Sequence, residues 1–216
     1  FDLSKLSLFV IDEVDQVYST GQSEEVKQLR KEIHGVQTIC LSATKNDTIQ
    51  TYFDTPFEEV LQGSVAVNEK IRSYYLETED KKTSLLSLLQ SLPITSAIVF
   101  INHRSTAIEL SDLLLRNHIL SSAFSGYFDE RKRIAIMSDF RKGDIRVLVA
   151  TDAAARGLDI HELSHVIHYD IPIDTETFIH RSGRTAHQGD EGISISLLTS
   201  EEMKSEVGMY IRMHSQ

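Results

Sequence analysis

Short β-branched apolar runs alternate along this chain with longer stretches in which apolar residues recur every three or four positions. That alternation predicts strand–helix units laid on a parallel sheet, an α/β fold. Strands are predicted at SLFVID (7–12), VQTICLS (36–42), RSYYLET (72–78), SAIVFIN (96–102), LSSAF (120–124), DIRVLVA (144–150), LSHVIHY (163–169) and GISISLL (192–198). Amphipathic helices are predicted over 22–34, 46–53, 80–92, 104–117, 128–141, 174–183 and 200–213, with Asp80 and Ser200 placed as N-caps.

The strands are unevenly spread, two before residue 60 and six after residue 70. Between them GSVAVNEK is short, weakly periodic and polar at its end. The organisation expected is an incomplete first unit over 1–62, a linker over 63–71 and a complete second domain over 72–216. The chain also starts without Met almost at the edge of a strand, which reads as a piece of a longer protein.

Composition narrows this picture. A hydrophobic content of 41% and a charged content of 25% suit a globular protein, and no apolar run approaches a membrane span. The single cysteine, Cys40, allows no internal disulfide, and its place in VQTICL predicts a buried, inert thiol in a reducing, cytoplasmic setting. The net charge of −10 weighs against nonspecific polyanion binding, although Arg131, Lys132, Arg133, Arg141, Lys142 and Arg146 make the middle of the chain locally basic.

The candidate chemistry lies at strand ends, where α/β sheets place their ligands. VIDEVD ends the first strand: Asp12 suits a Mg²⁺ ligand and Glu13 suits orienting and deprotonating a water, while an acidic turn is the plainer alternative. In LSAT, Ser42 and Thr44 suit either a bond to that acidic cluster or a helix cap. ATDAAARGLDI (150–160) and HRSGRTAHQG (180–189) pack charge among small residues at fixed spacing, and the two arginines of HRSGR suit a convergent grip on phosphate.

The order DEVD, SAT, IVFINHR, ATDAAARGLDI, HRSGRTAHQG resembles the DEAD-box family of ATP-dependent RNA helicases over about residues 3–200. The resemblance implies a RecA-like P-loop NTPase fold, with one complete C-terminal RecA-like domain and the last part of the N-terminal one. It implies catalytic roles for Asp12, Glu13 and Arg184, with Asp12 serving Mg²⁺ and ATP as the substrate. Gly157, Asp159, Arg184 and His187 match nucleotide-binding positions, Arg184 as an arginine finger at the γ-phosphate. Asn102, Gly126, Arg133 and Thr151 match positions near the RNA backbone. Asp15, Ser42, Thr44, His180 and Arg181 match residues that couple the two domains. RNA and ATP are the implied partners, and ribosome assembly and RNA decay are both settings in which the family works.

Several residues depart from the family pattern. Val14 stands for Ala, His103 for Thr, Glu130 for the neutral amide of a QxxR element, and His187 for a further arginine. A neutral imidazole lacks the bidentate fork of a guanidinium, so slow hydrolysis is one expectation. No GxxxxGKS or GxxxxGKT phosphate loop occurs, so these residues alone are not expected to hold ATP tightly. Three functions are carried forward: an RNA helicase that locally unwinds short duplexes with ATP hydrolysis, a nucleotide-gated RNA clamp with weak hydrolysis, and a DNA-directed relative.

Overall fold

The computed structural model describes residues 3, 5–14, 17, 23–33, 35–42, 70–155, 160, 163–186 and 191–216. The chain divides into two compact units, Phe1–Val65 and Ala66–Gln216. The helix expected over 46–53 lies outside the described residues, as does the expected linker up to Glu69.

In the first unit β1 (Leu8–Ile11) pairs in parallel with β2 (Gln37–Cys40), and helix α1 (Ser23–Glu32) lies between them in the chain. Ile11 and Val14 are buried against Phe9, Val17, Val26 and Cys40. Cys40 is only partly buried, because β2 alternates faces rather than lying inside the core. Burial still pushes its thiol pKa up, away from the thiolate that reacts.

The second unit runs β3 (Ile71–Glu77), α2 (Lys81–Ser91), β4 (Ala97–Phe100), α3 (Arg104–Arg116), β5 (Ser121–Phe124) and α4 (Glu130–Lys142). It continues with β6 (Val147–Ala150), α5 (Asp152–Ala155), β7 (His165–His168), α6 (Thr175–Ser182), β8 (Gly192–Leu198) and α7 (Glu206–His214). These six strands form one parallel sheet in the order β3-β8-β7-β4-β6-β5. The central strands β4, β6 and β7 are buried at every position, as expected when helices cover both faces. Ala97, Val99, Val147 and Val149 pack on one face with Leu85, Leu89, Leu110 and Leu114 of α2 and α3. Ile98, Phe100, Leu148 and Ala150 pack on the other with Ile136, Met137 and Phe140 of α4.

Aspartates fix three helix starts. Asp80, Asp129 and Asp174 each accept the backbone N–H of the residue three positions on, at 3.1, 2.8 and 2.7 Å. The expected cap at Ser200 is corrected. Thr199 and Glu202 bond each other reciprocally, its N–H to the carboxylate at 2.8 Å and its hydroxyl from the Glu202 N–H at 3.2 Å. That closes a 3₁₀ turn (Glu202–Lys204), and Ser205 is the residue that caps α7, through Gly208 N–H at 3.0 Å. Among the described residues no helix is long and apolar enough to cross a membrane.

Candidate functional site

In the first unit, the backbone leaving β1 is drawn toward the end of β2. Leu41 N–H donates to Ile11 O at 2.8 Å and Val14 N–H donates to Leu41 O at 2.9 Å. Val14 is thereby fully buried, which exposes its neighbours Asp12 and Glu13. Glu13 has φ of +48° and its N–H donates to the Asp12 carboxylate at 2.9 Å. A left-handed backbone at a non-glycine residue is uncommon and clusters at functional sites. Here it turns two consecutive carboxylates outward together. Ser42 is exposed just past β2, and Asp15 and Thr44 lie outside the described residues.

In the second unit the site forms at the carboxyl edge of the sheet. From β6 the chain passes β4 to reach β7, so the direction of strand addition reverses around β4 and opens the crevice where such sheets bind ligands. Into it reaches Arg181 of α6, 2% exposed. Its Nε donates to Asp152 at 2.7 Å and its Nη2 to the other oxygen of the same carboxylate at 2.6 Å. Nη1 donates to Asp170 O at 2.7 Å, and Nη2 also reaches Asn102 Oδ1 at 3.1 Å. The guanidinium lies 4.9 Å from the Phe100 ring centroid. One side chain thus joins the ends of β4, β6 and β7.

Two residues with expected roles lie inside this clamp. Arg181, expected to couple domains, is buried with each guanidinium nitrogen bonded inside the second unit, where it holds its neighbours. Asn102, expected at the RNA backbone, has its amide turned inward: Oδ1 accepts from Arg181, and Nδ2 donates to Ile171 O at 2.9 Å. Asp152 and Asp170, which complete this clamp, received no role from sequence reasoning. Asp152 belongs to ATDAAARGLDI, and its spacing to HRSGR carries no readable sign of the pairing.

Beyond α6 the turn bearing Arg184 is pinned from three sides. Thr185 Oγ1 donates to Leu163 O, Ala186 has φ of +61°, and Gly192 packs directly beneath Thr185. Arg184 is half-buried on that turn, and His180 is half-buried on α6. Behind it His168 is wholly buried, its Nε2 within 3.2 Å of Ser182 Oγ and 3.1 Å of Ser194 Oγ. Burial, and then the charge of Arg181, hold its pKa well below the ordinary histidine range. Thr151 Oγ1 accepts the Ala154 N–H at 3.4 Å and keeps its hydroxyl hydrogen for another partner. Gly157, Asp159 and His187 lie outside the described residues.

Gly126 is exposed after β5, with nothing within 4 Å of where a Cβ would stand, so another chain can approach its backbone closely. Arg133 stacks its guanidinium 5.4 Å from the Phe124 ring centroid, and its Nε is buried without a hydrogen-bond partner. Glu130 is exposed in the first turn of α4, where the helix dipole favours a carboxylate.

No group of three or more histidine, cysteine or carboxylate side chains that could hold a metal occurs among the described residues. Asp12 and Glu13 fit Mg²⁺ in its usual manner, through one or two carboxylates completed by phosphate and water.

Residues 1–52 match the DEAD/DEAH box helicase family, and residues 80–189 match the helicase conserved C-terminal domain. The chain is 34% identical to the ATP-dependent RNA helicase DeaD of Mycobacterium tuberculosis, across 94% of this chain and 37% of that protein. It is equally 34% identical to the ATP-dependent RNA helicase eIF4A of Sclerotinia sclerotiorum, across 92% of this chain and 52% of that one. The chain therefore spans about a third to a half of the curated relatives it matches. Among solved structures it is similar to S. cerevisiae Dbp5 bound to RNA and ADP BeF3, with a TM-score of 0.85 and 27% identity over 97% of this chain and 57% of that one. E. coli SrmB bound to RraA matches with a TM-score of 0.59 and 36% identity, over 66% of this chain and 87% of that one. The parallel sheet is the RecA-like fold of these helicases, and the chain belongs to the DEAD/DEAH box helicase family.

Proposed function

We propose that this chain works as part of an ATP-dependent RNA helicase, which grips single-stranded RNA by its backbone and separates short duplexes locally as ATP is hydrolysed. The observation that carries this reading is the Arg181 clamp, which fixes the described residues of IVFINHR, ATDAAA and HRSGRT at one sheet edge. The names of the two curated relatives, and the RNA and nucleotide in the Dbp5 structure, give it further support.

On this reading Glu13 orients the attacking water and takes its proton, and Arg184 stabilises charge developing on the γ-phosphate. Asp12 holds Mg²⁺, which when bound neutralises phosphate charge. Thr151 and Gly126 meet the RNA backbone, and the partly exposed Arg133 meets a phosphate. Asp159 and Gly157 serve the nucleotide. ATP and RNA each favour the same active state, so each raises the affinity of the other.

RNA-stimulated phosphate release by the full-length protein tests the reading. A rate that falls to background in Glu13→Gln supports it, and a rate equal to that variant's overturns it. A second reading, an RNA clamp with slow turnover, is favoured by His187 in place of arginine. It requires nucleotide-dependent RNA retention with little phosphate release. Loading strands that differ only in RNA or DNA chemistry separate both from a DNA-directed relative, since the 2′-hydroxyl discriminates them.

A further inference from the structure

The loop between β5 and α4 presents a side chain that a pure backbone grip does not use. Tyr127, next to Gly126, is 76% exposed. The Arg104 guanidinium carbon lies 4.3 Å from its ring centroid, a cation–π contact. Arg104 opens α3 just beyond Asn102, so this pair ties the loop after β4 to the loop after β5. Because the strands run parallel, both loops stand at the carboxyl edge that also carries Thr151 and Asp152.

The surroundings of Tyr127 are basic within a chain of net charge −10. The Lys132 ammonium lies 3.7 Å from the Phe128 ring centroid, Arg131 is exposed, and Arg133 is partly exposed. Two carboxylates share the segment. Asp129 accepts from the Lys132 N–H at 2.8 Å, and Glu130 is exposed in the same helical turn. An exposed aromatic ring interleaved with arginine and lysine is the chemistry that binds unpaired nucleotides, by stacking on bases while cations follow the phosphates. A protein partner would be matched by apolar anchors, yet Tyr127 carries the Arg104 guanidinium over its ring and stands in a segment rich in arginine and lysine.

We propose that Tyr127 is a stacking platform for one unpaired nucleobase of bound RNA, with Arg104 fixing the ring and Arg133 meeting the strand's phosphate. The inference rests on the RNA reading above and adds to it a contact with the base. Arg104 restrains the ring before binding, so less side-chain freedom is lost when a base stacks. Every base offers a π face, so the contact raises affinity without imposing a sequence.

A strand held by its backbone alone is indifferent to the loss of bases, whereas a strand stacked on Tyr127 is not. Fluorescence anisotropy at low salt therefore compares a short single-stranded oligoribonucleotide with an abasic strand of the same length, each binding the whole chain. Tyr127→Ala and Tyr127→Leu are expected to weaken binding of the base-bearing strand by about tenfold and to leave the abasic strand unchanged. Tyr127→Phe retains the wild-type preference. Arg133→Ala weakens both strands alike. If Tyr127→Ala affects both strands equally, or neither, while Arg133→Ala still weakens both, the stacking role is overturned and the RNA reading stands. If the wild-type chain binds neither strand, both fall together.

Discussion

Arg181 and Asp152, 29 residues apart in the chain, meet through two hydrogen bonds of 2.7 and 2.6 Å between a guanidinium edge and a carboxylate. The arginine side chain is almost fully enclosed and the aspartate about a third exposed. The pair therefore sits where Coulomb attraction is only partly screened, and where an unmatched arginine would be costly. Arg181→Ala removes the clamp on Asn102, Asp152 and Asp170 together, with an expected loss of about 3 kcal/mol of stability. Arg181→Lys keeps the charge but not the fork, and falls between that variant and the wild type. Urea unfolding of the three proteins measures this. Equal midpoints for all three would show the clamp to be energetically idle.

The turn bearing Arg184 depends on a missing side chain. A Cβ at Gly192 would stand 2.3 Å from Thr185 Oγ1 and 2.6 Å from Ala186 N. Thr185 is 1% exposed and bonded to Leu163 O, so it has no room to swing aside. Gly192→Ala is expected to cost about 1–3 kcal/mol and to lower RNA-stimulated ATP turnover by moving Arg184. Gly126→Ala, with open space around it, is expected to change stability by less than about 0.5 kcal/mol while weakening RNA binding. Thermal unfolding of the two variants side by side tests the contrast.

The α/β class was legible because the buried parallel strands β4, β6 and β7 leave continuous apolar runs. The prediction for β8 coincides with Gly192–Leu198, whereas 144–150 shortens to Val147–Ala150, because the chain leaving α4 is still folded back at Ile145, whose N–H donates to Asp139 O at 3.2 Å. Helix α5 escaped because four residues carry no periodicity. Ser200 was misread because capping depends on which hydroxyl the chain folds back upon, and Thr199 with Glu202 wins that competition. The motifs located the carboxylates and arginines, but the division of labour within HRSGR was not readable. Which arginine turns inward is decided by Asp152 and Asp170, residues distant in sequence. The positive φ of Glu13 and Ala186 likewise leaves no mark in composition.

His187 stands where the family pattern carries a further arginine. If a missing guanidinium limits transition-state stabilisation, His187→Arg raises kcat of the full-length protein by at least about tenfold, since arginine fingers contribute large factors. The binding of nucleotide before chemistry should change much less, because the contact matters most as charge develops. Steady-state and single-turnover kinetics distinguish these. An unchanged single-turnover rate would move the limit away from position 187.

His168 makes the folded state sensitive to mild acid. The ring is fully buried, and enclosure, followed by the nearby Arg181 charge, depresses its pKa well below 6.5. His165 is depressed in the same direction by burial. In the unfolded chain both titrate near the ordinary value of about 6.5. Below that pH the unfolded state takes up protons that the folded state refuses, so stability is full above it and is lost as pH falls. Each group contributes a slope approaching about 1.4 kcal/mol per pH unit within its window. The carboxylates of Asp80, Glu79 and Glu24, also depressed, act in the same sense only at much lower pH. Urea midpoints measured from pH 7.5 down to about 5 should therefore fall well before carboxylates titrate. His168→Phe keeps the ring between Phe100 and Phe178, and Ser182 and Ser194 remain bonded to each other at 3.0 Å. That variant should show a shallower fall whatever its absolute stability. An unchanged slope would assign the acid sensitivity to other groups.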